Sequence, residues 1–159
     1  MDDSTSWLTQ ESYDRLTKEL EELEGPKRAE IVKRIELARE EGDLKENGGY
    51  HAAREEQGKI EGRINQLKNM LENAQVGEAP ISDTVVPGVV VVATIAGDPE
   101  EFLLGNREIA EDTDIDVYSE HSPLGQAVLG LKKGDKASYT APNGKEIKVQ
   151  VKGIKPFTG

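Results

Sequence analysis

Two carboxylates three residues apart stand in the run Gly42-Asp43-Leu44-Lys45-Glu46-Asn47-Gly48-Gly49-Tyr50. A single helical turn would set Asp43 and Glu46 on one side. Oxygen donors so paired suit Mg²⁺, but two carboxylates do not make an all-protein cage, because this ion keeps waters and shares its site with phosphates. The chemistry on offer is therefore a shared one. Carboxylates delivered into a phosphoryl-transfer centre could help to hold a second metal, which activates water against a phosphodiester. The same pair also admits a plain structural role, with Asp43 capping a turn and Glu46 solvated, and the spacing leaves both open.

Other chemistries find little support. The chain has no cysteine, so thiolate zinc sites, disulfides and cysteine nucleophiles are excluded. His51 and His121 are the only histidines, and neither stands in a zinc motif or a triad-like setting. Gly125 and Gly130 lack the Lys-Ser or Lys-Thr that completes a P-loop. A net charge of -11, from 31 acids against 20 bases, disfavours ordinary duplex binding. Lys27, Arg28, Lys33, Arg34 and Arg39 could still line a stripe facing an RNA backbone, or could pair with neighbouring glutamates.

The elements that must position the carboxylates follow from a change of character along the 159 residues. From Thr9 to Ala74 the chain is rich in helix formers; from Val85 onward it is rich in Val, Ile, Gly and Asp. Thr9 is a helix cap, followed by an apolar stripe at Tyr13, Leu16, Leu20 and Leu23 that resumes at Ile31, Ile35 and Ala38. Gly25-Pro26 lies between, and either bends the helix or breaks it. Ala53, Gln57, Ile60, Ile64, Leu67, Leu71 and Ala74 form a heptad seam that needs a partner, and an antiparallel turn at 42–50 supplies one. Beyond a linker at 77–84 the strand candidates are 89–95, 101–104, 114–118, 136–140 and 146–151, with Asn143-Gly144 as a hairpin turn and a short helix over 123–130. The expected class is α+β: a helical hairpin over 1–76, then an antiparallel sheet domain over 85–159. The acidic N-terminus and the lack of a long apolar run point to a cytoplasmic protein with no membrane role, and a self-satisfied hairpin points to a monomer.

The run Ala38 to Asn47, with Tyr50-His51-Ala52-Ala53-Arg54-Glu55-Glu56-Gln57, closely resembles the signature of the bacterial GreA/GreB transcript-cleavage factors, GreA more than GreB. Ile60 to Ile64, Leu67 and Leu71 to Ala74 resemble the family's returning helix, and Ser119 to Gly130 its C-terminal signature. Gly48-Gly49 departs from the Ala-Glu of many relatives and leaves one acid fewer.

The resemblance implies an N-terminal antiparallel coiled coil, which enters the secondary channel of bacterial RNA polymerase, and a C-terminal FKBP-like domain that holds the channel rim. It implies that Asp43 and Glu46 serve as accessory ligands to a Mg²⁺ shared with the polymerase, which then hydrolyses the 3′ end of backtracked nascent RNA. The factor itself would not be an enzyme. By the same carry-over, Leu44, Asn47, Tyr50 and Arg54 support the tip, and Ser122, Pro123 and Leu124 dock on the polymerase. A Gre-like inhibitor of the same channel, without cleavage stimulation, is the alternative.

Overall fold

The computed structural model describes residues 7–42 and 46–158. It has two compact units: Asp14–Glu72, and the chain as far as Tyr13 together with everything from Asn73 onward. No helix among the described residues is long and apolar enough to cross a membrane.

The N-terminal region is a long helical one. A two-residue strand, β1 (Trp7–Leu8), precedes α1 (Gln10–Glu22), α2 (Arg28–Arg39) and α3 (Gly48–Asn73). Thr9 caps α1, its Oγ1 accepting from the Ser12 amide at 3.0 Å. Pro26 does not break the helix. Leu23–Lys27 form a single π-helical turn that joins α1 to α2, and the wider turn accommodates a proline that has no N–H to give. The apolar stripe faces inward where expected: Leu16, Ile31, Ile35 and Ala38 are buried from the first segment, and Ala53, Ile64 and Leu67 from α3.

Ion pairs stitch the two faces. From Glu24–Lys68 through Arg28–Glu61 to Arg34–Glu56, numbers rise on one segment as they fall on the other, so the segments run antiparallel. Arg28 and Arg34 are thus engaged with glutamates, as the second reading of the basic stripe holds. Such exposed pairs add little each, and the buried stripe carries the association.

Arg63 grips Glu19 with two bonds, at 2.7 and 3.0 Å. Those hydrogen bonds hold the Glu19 carboxyl below the usual glutamate range against partial burial. A depressed carboxyl contributes stability above its unfolded value and loses it as pH falls through the folded one. Glu19→Gln should therefore flatten the acid side of the helical melting profile followed by circular dichroism, and an unchanged acid slope would remove this pair from the account.

The second unit is a five-stranded sheet. Its strands are β3 (Val89–Ile95), β4 (Asp98–Leu104), β5 (Asp116–Tyr118), β6 (Lys136–Thr140) and β7 (Glu146–Pro156), in the order β5-β4-β3-β7-β6. The sheet is mixed, not antiparallel as expected, because β5 lies parallel to β4, with Phe102 opposite Asp116 and Leu104 opposite Tyr118. A 3₁₀ turn at Arg107–Asp112, capped by Asn106 Oδ1 on the Glu108 amide, carries the chain back before β5 begins. That connection is a crossover rather than a hairpin.

β4 starts earlier than expected because Ala96 and Gly97, at φ +52° and +87°, make a two-residue turn after β3. β7 runs past Val151 to Pro156 and pairs with both β6 and β3. The Asn143-Gly144 turn joins β6 to β7, Gly144 adopting φ +85°.

Alternation places Val89, Val91, Ala93, Phe102, Leu104, Val149 and Val151 on one face. They pack with Val85 and with Leu124 and Val128 of the short helix α4 (Pro123–Val128). The N-terminal residues belong to this unit as well. β1 pairs in parallel with β2 (Gln75–Val76), Trp7 lies edge-on to Phe157 at 6.2 Å, and its carbonyl accepts from the Asn106 amide. The Thr9 hydroxyl donates to Ser12 Oγ, which donates to Asp112 at 2.7 Å, so the buried Ser12 is fully satisfied.

Candidate functional site at the closed end of the helical pair

The end of α2 and the start of α3 are joined by one side chain. Asn47 Oδ1 accepts from the Tyr50 amide at 3.0 Å, capping α3, while its Nδ2 donates to the Ala38 carbonyl at 2.6 Å, one residue before the end of α2. Main-chain bonds from Glu41 to Ala38 and from Gly42 to Arg39 close the last turn of α2. Gly42 then adopts φ +118°, a conformation that favours glycine.

Tyr50 packs on the buried cluster of Ile31, Ile35 and Ala53. The Arg39 guanidinium sits 5.8 Å over its ring, and His51 lies edge-on to it at 5.6 Å. Arg54 bonds Gln57 at 3.1 Å along α3.

Around this frame the predicted site residues are distributed unevenly. Glu46 is exposed beside Asn47. Asp43 and Leu44 lie outside the described residues. Among the described residues, no group of three or more His, Asp or Glu side chains is placed to hold a metal ion. Gly48 and Gly49 are the first two residues of α3, where the Asn47 cap compensates for the low helix propensity of two glycines. Arg39, read from sequence only as a member of a basic stripe, is here a partner of Tyr50.

The C-terminal candidates occupy a tight turn. Ser122 Oγ donates to the Ser119 carbonyl at 2.6 Å and accepts from the Gly125 amide at 3.0 Å, and Pro123 fills the first position of α4. Leu124 is 4% exposed and lies in the sheet core, because helical spacing turns it inward with Val128. It therefore shapes the segment from inside; the outer surface is formed by exposed residues such as Pro123 and Gln126. In the sequence Gly125 stands within the Ser119 to Gly130 signature and lacks a P-loop's completing residues, and neither reading announces a close approach. A Cβ there would run into the Ser119 carbonyl oxygen and lie 2.9 Å from Glu120 Cα.

A long helical region whose α2 and α3 are tied by the Asn47 amide, carried in one chain with a compact mixed-sheet unit, is the build of a two-module factor. Comparison with known proteins makes this specific. Residues 6–76 match the family model "Transcription elongation factor, N-terminal", and residues 80–156 match "Transcription elongation factor, GreA/GreB, C-term". Transcription elongation factor GreA of Streptomyces coelicolor is 54% identical over 161 residues, spanning 99% of this chain and 97% of that one. The GreA of Streptomyces avermitilis is 53% identical over the same shares. Among solved structures, the GreA factor homolog Gfh1 of Thermus thermophilus is 28% identical, covering 93% of this chain and 97% of that one, with a TM-score of 0.43. The chain belongs to the GreA/GreB family of transcription elongation factors.

Proposed function

We propose that this chain stimulates the cleavage of backtracked nascent RNA by bacterial RNA polymerase, acting as an accessory factor with no hydrolytic activity of its own. The observation that carries the reading is kinship at 54% identity across 99% of the chain with a protein named transcription elongation factor GreA, in a sequence that keeps both Asp43 and Glu46. On this reading the helical unit Asp14–Glu72 is an antiparallel coiled coil that enters the secondary channel, and the sheet unit, to which β1 and β2 also belong, is an FKBP-like module that docks at the rim. The antiparallel ion-pair ladder and the inward apolar stripe support the coiled coil. The Ser119 to Gly130 segment, with Pro123 exposed and Leu124 beneath, contributes the docking surface, Ser122 holding its turn.

Two hard oxygen donors suit Mg²⁺, and two such donors are too few to hold it without the polymerase's own ligands. That ion, when bound, acts as a Lewis acid and lowers the pKa of its water. This chain brings negative charge to it: Asp43 and Glu46 offer acceptor oxygens, while Asn47 ties the end of α2 to the start of α3 beside Glu46.

The test uses defined backtracked elongation complexes carrying RNA labelled at either end. Release of a short 3′ fragment on adding the protein, with none released from free RNA, is the expected result. Binding without fragment release, with slowed nucleotide addition, would instead make this a channel inhibitor.

A further inference from the structure

We propose that Asn47 is a positioning residue for cleavage, acting as a two-way clamp that sets where its neighbour Glu46 is held. The inference rests on the cleavage-factor reading above.

Its partners leave the amide one orientation. The Tyr50 N–H can only donate, so it faces Oδ1; the Ala38 carbonyl can only accept, so it faces Nδ2. One side chain thus bonds both ends of the connection, at 2.6 Å to the end of α2 and at 3.0 Å to the first turn of α3. Both anchors are firm. The Ala38 side chain is buried and its carbonyl also accepts from the Glu41 amide, while Tyr50 packs on the Ile31, Ile35 and Ala53 cluster. Glu46, the residue directly before Asn47, is therefore held beside an amide that bonds both helix ends.

No other short side chain performs both tasks. Aspartate keeps the acceptor for Tyr50 but turns an oxygen toward the Ala38 carbonyl oxygen, converting attraction into repulsion. Serine caps the helix but is too short to reach back. Because Ala38 retains its bond from Glu41, either change leaves no orphaned buried carbonyl, so the fold is affected far less than the placement of Glu46.

The experiment measures fragment release from backtracked complexes across a range of factor concentrations for the parent, N47D and N47S. It separates the maximal cleavage rate from the half-saturating concentration, which reports channel occupancy. The expected result is a maximal rate lower by about 10- to 100-fold for both variants. The half-saturating concentration should stay within about twofold, and thermal melting close to that of the parent. A maximal rate for N47D equal to the parent's overturns the clamp, as does a deficit erased by adding more factor. A parent that releases no fragment overturns the cleavage reading and the clamp together, whereas a cleaving parent beside an equally active N47D overturns the clamp alone.

Discussion

Asp43→Asn and Glu46→Gln should each bring cleavage of backtracked RNA close to the factor-free rate, a loss of about 10²- to 10³-fold, while binding to polymerase persists. Both changes keep the size and shape of the side chain and remove only its charge. A neutral amide oxygen is a far weaker ligand for a divalent cation than a carboxylate, and the other amide end is a donor that would turn away from it. Glu46 is exposed, so its substitution leaves the buried stripe of the helical unit undisturbed. The measurement is fragment release at saturating factor, paired with competition for polymerase against the labelled parent. Near-parental release by both variants would sink the metal-ligand role.

The second large effect concerns stability. Gly125→Ala should cost about 2–3 kcal/mol by overpacking, because the new methyl would meet main-chain atoms of Ser119 and Glu120, which cannot rotate away. Relief would mean pushing the Ser119–Ser122 turn off α4, at the expense of the Ser122 cap and of the buried Leu124 and Val128 contacts. Gly58→Ala is the matched control. That glycine lies within α3 with nothing near its would-be Cβ, so the same methyl should stabilise by about 1 kcal/mol. Chemical denaturation of both variants decides the matter: if G125A unfolds at the parental midpoint, the close approach at Ser119 is not a constraint.

Much of the helical unit was legible because its signal is periodic. Leu16, Ile31, Ile35, Ala38, Ala53, Ile64 and Leu67 declare an inward face by spacing alone, and the structure buries all seven. In the sheet unit the apolar β3 and the mostly polar β6, which leads into the Asn143-Gly144 turn, came out at their full lengths. What failed depended on contacts between distant residues. Nothing local in Trp7-Leu8 says that it pairs with Gln75-Val76, and the direction of β5 is set by a short 3₁₀ turn whose cap, Asn106, is a common residue in any loop.

At the candidate site the limits were similar. Asn47 could be read as a helix cap, since its acceptor serves a residue three positions on, but its bond to Ala38 exists only once two helix ends meet. The resemblance assigns Leu124 to docking, while its helical spacing with Val128 sets it inward, and the structure buries it in the sheet core.

The wide turn at Leu23–Lys27 has a consequence for how this region tolerates changes in length. Leu23 and Ile31 are eight residues apart where a heptad would have seven. In an unbroken 3.6-residue helix that extra residue would swing Ile31, Ile35 and Ala38 about 80° around the axis relative to the preceding stripe. The π turn absorbs the surplus residue, and the stripe stays in phase on both sides of Pro26. The turn is therefore a phase corrector, the place along α1 and α2 where a one-residue deletion is accommodated by conversion to ordinary helix. The same deletion anywhere between Arg28 and Arg39 would rotate one part of the seam away from α3 and carry Ala38, the anchor of the Asn47 clamp, out of reach.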